Sequence, residues 1–127
     1  MNLLLDTHAL LWSAEAPEKL SLQARTQVED ASNRLFFSAA SVWEIAIKVP
    51  IEKLRLSMSP EQLVQLLARA GFLEVPIESQ HAARVATMPL HHRDPFDRLL
   101  VAQAELERMT LVSRDGGFDA YGIRRLW

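Results

Sequence analysis

Cysteine is absent from the 127-residue sequence, which excludes a disulfide scaffold, thiol catalysis and thiolate metal sites. Long apolar runs are missing too. The longest unbroken ones, Ala9–Trp12 and Leu99–Ala102, hold four residues each, far short of a transmembrane helix. The first residues carry no basic segment and meet Asp6 too early for a secretory signal, so a cytoplasmic protein with no membrane association is expected. No internal repeat, low-complexity stretch or linker interrupts the chain, and its length suits one domain over 1–127. A basic excess is also lacking: 14 Lys and Arg stand against 16 Asp and Glu, for a net charge of −2. Taken alone, that balance argues against nucleic-acid binding. Its weight depends on where the acids fall. What is present, 49% hydrophobic and 24% charged residues, describes an ordinary globular chain.

Short apolar runs at Leu3–Leu5, Leu35–Phe37, Leu73–Ile77 and Leu111–Val112 predict strands, with Arg124–Trp127 as a short fifth. Pro76 ends the third early or places it at an edge. Helical patterns lie between them. Ser59-Pro60-Glu61-Gln62 supplies a capping serine, a first-turn proline and a glutamine at the third position. Leu63, Leu66, Leu67 and Ala70 then recur at helical spacing until Gly71. Asp94-Pro95 opens a second such helix, whose inner face runs through Leu99, Leu100, Gln103 and Leu106 to about Arg108. Weaker helices fit Leu20–Ala31, Ala39–Lys48 and Ser79–Thr87. Strands alternating with helices imply an α/β fold: three α/β/α layers around a short, mainly parallel sheet of four or five strands. In such sheets ligands bind beyond the carboxyl ends of the strands.

The acids fall at that edge. Asp6 directly follows the first strand, and Asp115 stands at or just past the end of the fourth. Either could simply cap a following helix or start a turn. Glu44 sits in the apolar stretch Val42–Ile47 of a helix that begins just after the second strand. Lys48, four residues on, could pair with it. Asp97 lies at the third position of a helix that Asp94 already caps, which frees Asp97 as a ligand. Four carboxylates on one edge would repel, since each unit-charge pair at 4 Å costs about 4 kcal/mol at an effective dielectric near 20. A hard divalent cation, Mg²⁺ or Mn²⁺, is the natural counterion for such oxygen donors. With no Cys and no H-x-x-x-H spacing, structural zinc is disfavoured. The adjacent His91 and His92 suit loop or phosphate contact better than joint metal ligation.

Four segments now combine: Leu4-Leu5-Asp6-Thr7-His8-Ala9-Leu10-Leu11-Trp12; Ser41-Val42-Trp43-Glu44-Ile45-Ala46-Ile47-Lys48; Arg93-Asp94-Pro95-Phe96-Asp97-Arg98-Leu99-Leu100-Val101-Ala102-Gln103-Ala104; and Ser113-Arg114-Asp115-Gly116-Gly117-Phe118. In this order, from residue 4 to residue 118, they resemble the PIN-domain ribonucleases, and most closely the VapC-type toxins of bacterial toxin–antitoxin pairs. The resemblance implies a PIN-like fold and Mg²⁺- or Mn²⁺-dependent endonucleolytic cleavage of RNA with one or two ions. It also implies a homodimer silenced by a small cognate VapB-like antitoxin. By position it makes Asp6, Glu44, Asp97 and Asp115 the catalytic, metal-ligating acids, Thr7 and Ser113 hydroxyls lining the site, and Asp94 an accessory acid. The sequence departs from the pattern at Val49-Pro50-Ile51-Glu52-Lys53-Leu54, where relatives often carry Gly before Lys-Leu. Asp119 stands where an extra acid varies.

The corresponding chemistry is metal-assisted phosphodiester hydrolysis. His8 and His92 could transfer protons, or serve as hydrogen-bonded walls. Arginines outnumber lysines 11 to 3, and Arg93, Arg98 and Arg114, beside the acid motifs, are candidates for phosphate contact through bidentate geometry. Each could equally pair with a neighbouring acid. The apolar stretches around Trp12 and Leu54–Leu67 fit partner surfaces or core. A receiver-like signalling domain would also use acids and Mg²⁺, but it wants a lysine at a late strand end, and the last lysine here is Lys53. An aspartate-nucleophile phosphatase wants a second acid two residues after Asp6, where His8 stands. A non-catalytic partner-binding PIN-like protein is the remaining alternative.

Overall fold

The computed structural model describes all of residues 1–127. Five strands, β1 (Asn2–Leu5), β2 (Arg34–Ser38), β3 (Leu73–Val75), β4 (Thr110–Val112) and β5 (Arg125–Leu126), form one sheet in the order β3-β2-β1-β4-β5. Every pairing is parallel, so the mainly parallel sheet expected from the sequence is wholly so. The strands are short, two to five residues, and both faces of the sheet are covered. Leu3 and Leu5 enter one core with Leu10, Ile45, Leu63 and Leu67, while Leu4 enters the other with Leu100, Val101 and Phe118. The same alternation divides Phe36 from Phe37 and Leu111 from Val112, as the two-residue period of a strand requires.

Six α-helices connect the strands: α1 (Thr7–Glu15), α2 (Leu22–Glu29), α3 (Ala39–Lys48), α4 (Pro60–Arg69), α5 (Ser79–Arg84) and α6 (Pro95–Leu106). The helix predicted over Ala39–Lys48 matches α3 at both ends. Ser59 and Gln62 make the reciprocal capping box that starts α4, and Gly71 follows that helix at φ +92°, a conformation that favours glycine. Helix α1 is the element not anticipated. Its Ala9–Trp12 run is continuous and not spaced by three and four, so it carries no amphipathic signature. The helix is held by burial of Ala9 and Leu10 and by the Asp6 side chain, which accepts from the Ala9 amide at 2.8 Å.

The chain builds β1, β2 and β3 outward to one side, then returns to add β4 and β5 on the other. The order therefore reverses between β1 and β4. In a parallel sheet the crevice beyond the carboxyl ends at such a point is where ligands bind. No helix is long and apolar enough to cross a membrane.

Candidate active site

Residues from both sides of the reversal line one depression: Asp6, His8 and Trp12 from the end of β1 and from α1, and Arg114, Asp115 and Gly116 from the end of β4. A second depression, framed by Glu105, Arg108, Thr110 and Arg124, opens at the amino ends of β4 and β5 and has no comparable set of acids.

Asp6 and Asp115 both act as local caps, the plainer of the two roles their positions suggested. Asp6 caps α1 through one oxygen. Asp115 accepts from the Gly117 amide at 2.8 Å at the start of the 3-10 helix Gly116–Tyr121. Capping uses one carboxylate oxygen, so it leaves the other for a second partner. For Asp115 that partner is His92, whose Nε2 lies 2.8 Å from Oδ2. The His92 ring stacks on Phe118 at 4.5 Å, and Nδ1 is 3.1 Å from the Tyr121 hydroxyl. The tyrosine proton on Nδ1 leaves Nε2–H to donate to Asp115. These bonds, the His92 one first and the Gly117 one second, hold the Asp115 carboxyl below its usual range, with the Arg125 charge adding to them. Gly117 is required by close approach: a Cβ there would lie 2.9 Å from Asp115 Oδ1 and 3.3 Å from the His92 ring.

Glu44 is 4% exposed and has both oxygens engaged. The Thr7 hydroxyl lies 2.6 Å from Oε1 and 3.0 Å from Ser41 Oγ. A hydroxyl has one proton, so Thr7 donates to Glu44 and accepts from Ser41. Lys48, one turn along α3, donates to Oε2. Its Nζ also stands 3.5 Å from Asp94 Oδ2 and 5.7 Å from the Phe96 ring centre. Burial would lower the Lys48 pKa, but the bond and charge of Glu44, then of Asp94, more than offset it and leave the pKa raised. Asp94 caps α6 by accepting from the Phe96 amide at 2.8 Å.

Asp97, in the first turn of α6, differs from all of these. Its carboxylate is partly buried, and no hydrogen bond or ion pair satisfies it. Desolvation, then the charge of Asp94, and further the charges of Glu44 and Asp6, push its pKa up to about 7, while His92 pulls the other way. Asp6 is pushed up as well, by burial first and also by Glu44; the Ser113 hydroxyl, the Ala9 amide and His8 oppose that rise. Asp6, Glu44, Asp94 and Asp97 thus share one field. Asp115 belongs to the same edge but is turned toward His92.

The three candidate arginines separate. Arg98 donates to the carbonyls of Pro89, Val85 and Met88 at 2.9, 2.9 and 3.4 Å, so it ties down the loop before α6 and is occupied there. Arg93 and Arg114 are exposed and form no ion pair, and Arg114 lines the depression. Asp119 is held by Arg125 through two bonds of 2.8 and 3.0 Å. His8 is exposed at the rim, with its ring 5.7 Å from that of Trp12. Sequence reasoning passed over Ser41 as part of the site. Its spacing of three before Glu44, on one face of a helix, was the available signal. The Tyr121–His92–Asp115 chain joins residues 29 and 23 apart in sequence and had no local signature.

No three carboxylate or imidazole side chains are grouped closely enough to form a complete protein cage for a metal ion. That does not exclude Mg²⁺, which keeps several waters and is ordinarily bound through one or two carboxylates. Asp6 keeps one oxygen outside its cap and Asp97 keeps both, in a site with uncompensated negative charge. The all-oxygen donor set fits a hard divalent cation held by Asp6 and Asp97.

A family model described as PIN domain matches residues 3–123. Ribonuclease VapC22 of Mycobacterium tuberculosis is 32% identical over 115 residues, which cover 90% of this chain and 87% of that protein. The crystal structure of VapBC2 from Rickettsia felis bound to a DNA fragment from their promoter matches with a TM-score of 0.68 at 13% identity, covering 98% of this chain and 97% of that one. DNA-bound VapBC from Salmonella typhimurium matches with a TM-score of 0.68 at 16% identity, covering 98% and 96%. At those identities the likeness is one of fold. The family match spans every segment that contributes an acid to the site, and the chain belongs to the PIN-domain family, within its VapC type.

Proposed function

We propose that this chain, acting as one unit over residues 1–127, is a Mg²⁺- or Mn²⁺-dependent endoribonuclease and the toxin of a toxin–antitoxin pair. The observation that carries the reading is Asp97: a partly buried carboxylate without a donor, set among Asp6, Glu44 and Asp94, with burial and the charge of Asp94 pushing its pKa up to about 7. When bound, a divalent ion supplies Lewis acidity toward the scissile phosphate and an attacking water. The chain's own residues do the rest. Asp6 and Asp97 hold the ion. Thr7 and Ser41 fix the Glu44 side chain, and His92 with Tyr121 fixes Asp115 at the facing rim, where Ser113 is backed by its bond from the Asp115 amide. Arg93 and Arg114, exposed and without an ion pair, supply the phosphate contacts.

The 32% identity to Ribonuclease VapC22 supports RNA as the substrate. The likeness to VapBC complexes supports a VapB-like antitoxin as partner; a homodimeric toxin in the cytoplasm belongs to the same proposal. Purified protein is expected to cut RNA with Mg²⁺ or Mn²⁺ and to stop in excess EDTA. Asp6→Asn and Asp97→Asn are each expected to reduce the rate at least a hundredfold. Cleavage by either variant at the wild-type rate, or undiminished cleavage in EDTA, refutes the assignment.

A further inference from the structure

Every oxygen of the two acids flanking Lys48 already faces a hydrogen-bond donor or the Lys48 ammonium. Glu44 gives Oε1 to the Thr7 hydroxyl and Oε2 to Lys48, while Asp94 gives Oδ1 to the Phe96 amide and turns Oδ2 toward the same ammonium at 3.5 Å. Across the site, Asp97 has no donor on either oxygen, and Asp6, beyond its cap on Ala9, has only the Ser113 hydroxyl beside it and no cationic side chain bonded to it. We propose that the Lys48 ammonium stands where a second divalent cation would otherwise sit, between Glu44 and Asp94, so that each chain holds one ion and not two. This rests on the metal-dependent reading above.

Lysine suits the place. Its ammonium is compact and has three rotatable donors, so one group can serve two carboxylates from different helices. The spacing puts Glu44 four residues before Lys48 on α3, the more favourable order for such a pair. The Lys48 side chain is 26% exposed, and the Phe96 ring 5.7 Å from Nζ covers one side of it. A hydrated dication brought between the same two acids would have to displace that ammonium or stand against its charge. Of the four clustered acids, two are therefore neutralised in part by a residue that no chelator can remove.

The test is a count of bound Mn²⁺ per chain by calorimetry, native mass spectrometry and Mn²⁺ EPR, on wild type, Lys48→Arg, Lys48→Met and Lys48→Gln. Wild type and Lys48→Arg are expected to bind one ion. Lys48→Met or Lys48→Gln, whichever folds better by circular dichroism, is expected to take a second, with the spin-coupled EPR signature of an ion pair. Two ions on wild type overturn the proposal whether or not the neutral variants fold. One ion on a folded neutral variant, with unchanged affinity, overturns it too. No ion on any of them refutes the metal-dependent reading itself.

Discussion

Asp97→Asn should make the metal-free protein more stable while removing its response to metal. In the wild type the Asp97 pKa moves from an ordinary 3.8 to about 7, through burial first and the charge of Asp94 second. The folded chain therefore keeps a proton that the unfolded chain has already lost between those two values. The contribution of Asp97 to stability is full below about pH 3.8 and is lost as the pH rises through about 7. The whole displacement sets a ceiling of ~4 kcal/mol. Asp97 is only partly buried, and solvent screening brings the effective value to ~1–2 kcal/mol. For a chain of this size that corresponds to a rise in Tm of roughly 4–10 °C at pH 8 in EDTA. Asparagine keeps the shape and cannot ionise, so the gain should shrink toward zero at pH 5. Added Mn²⁺ should reverse the order, because a ligand that binds only the folded state stabilises it in proportion to ln(1 + [L]/Kd). Thermal melts of both proteins at pH 5 and pH 8, with EDTA or with Mn²⁺, measure all four corners. An Asp97→Asn protein no more stable than wild type at pH 8 in EDTA would refute the electrostatic reasoning, as would a gain that persists undiminished at pH 5.

Arg98→Ala should lose about 1–3 kcal/mol by urea unfolding, because three loop carbonyls lose a charged donor; a neutral result would return Arg98 to the list of phosphate contacts. Gln103→Leu should cost about 1–3 kcal/mol, since buried Ser38 Oγ loses its acceptor and the Pro76 carbonyl its donor, and an unchanged midpoint in the same assay would contradict that. His92→Ala should raise the Asp115 pKa toward the ordinary carboxylate range, read by carboxyl ¹³C shifts, because the His92 bond is the leading cause of its depression; an unmoved titration would show that the Gly117 amide and Arg125 suffice. Arg93→Ala and Arg114→Ala should each lower the salt dependence of RNA binding by about 0.7 in d log K/d log[salt], the single-strand slope per phosphate contact. An unaltered slope would place the phosphates elsewhere.

Most of the fold could be read locally; the misses at element ends have local causes, and the one missing element, α1, does not. Ser59-Pro60 and Asp94-Pro95 are start signals written within four residues, and both helices begin where those signals stand. Helix α2 is shorter than the predicted Leu20–Ala31 because Ser21 is its cap, while Pro17–Lys19 form a separate 3-10 turn. The predicted Ser79–Thr87 helix gives way to a 3-10 turn at Val85. The third strand stops at Val75, before Pro76, which has no N–H for the ladder. Helix α1 depends on Leu10 and Ala9 being packed against other elements, information absent from residues 7–15 themselves. The same division holds at the site. The position of each acid relative to its own strand or helix was legible. The partners that tune those acids come from elsewhere in the chain: Thr7 for Glu44, His92 for Asp115, and Asp94 together with Asp6 around Asp97.

The net charge of −2 also changes meaning once the acids have places. Four of the sixteen acids share one field on the carboxyl edge of the sheet, and only Lys48 compensates them from within. One divalent ion would take the chain's formal total from −2 to 0 and the local total of four acids plus Lys48 from −3 to −1. The first figure removes the overall repulsion toward a polyanion, and the second leaves the site itself slightly negative. Attraction for an RNA backbone then cannot come from a basic global field. Under the proposed function it has to come from cations near the acids, and the exposed arginines next to the acid motifs without an ion pair are Arg114, which lines the depression, and Arg93, which precedes Asp94. On the proposed function, such a chain would bind RNA weakly along its length and depend for its grip on the ion and those arginines together.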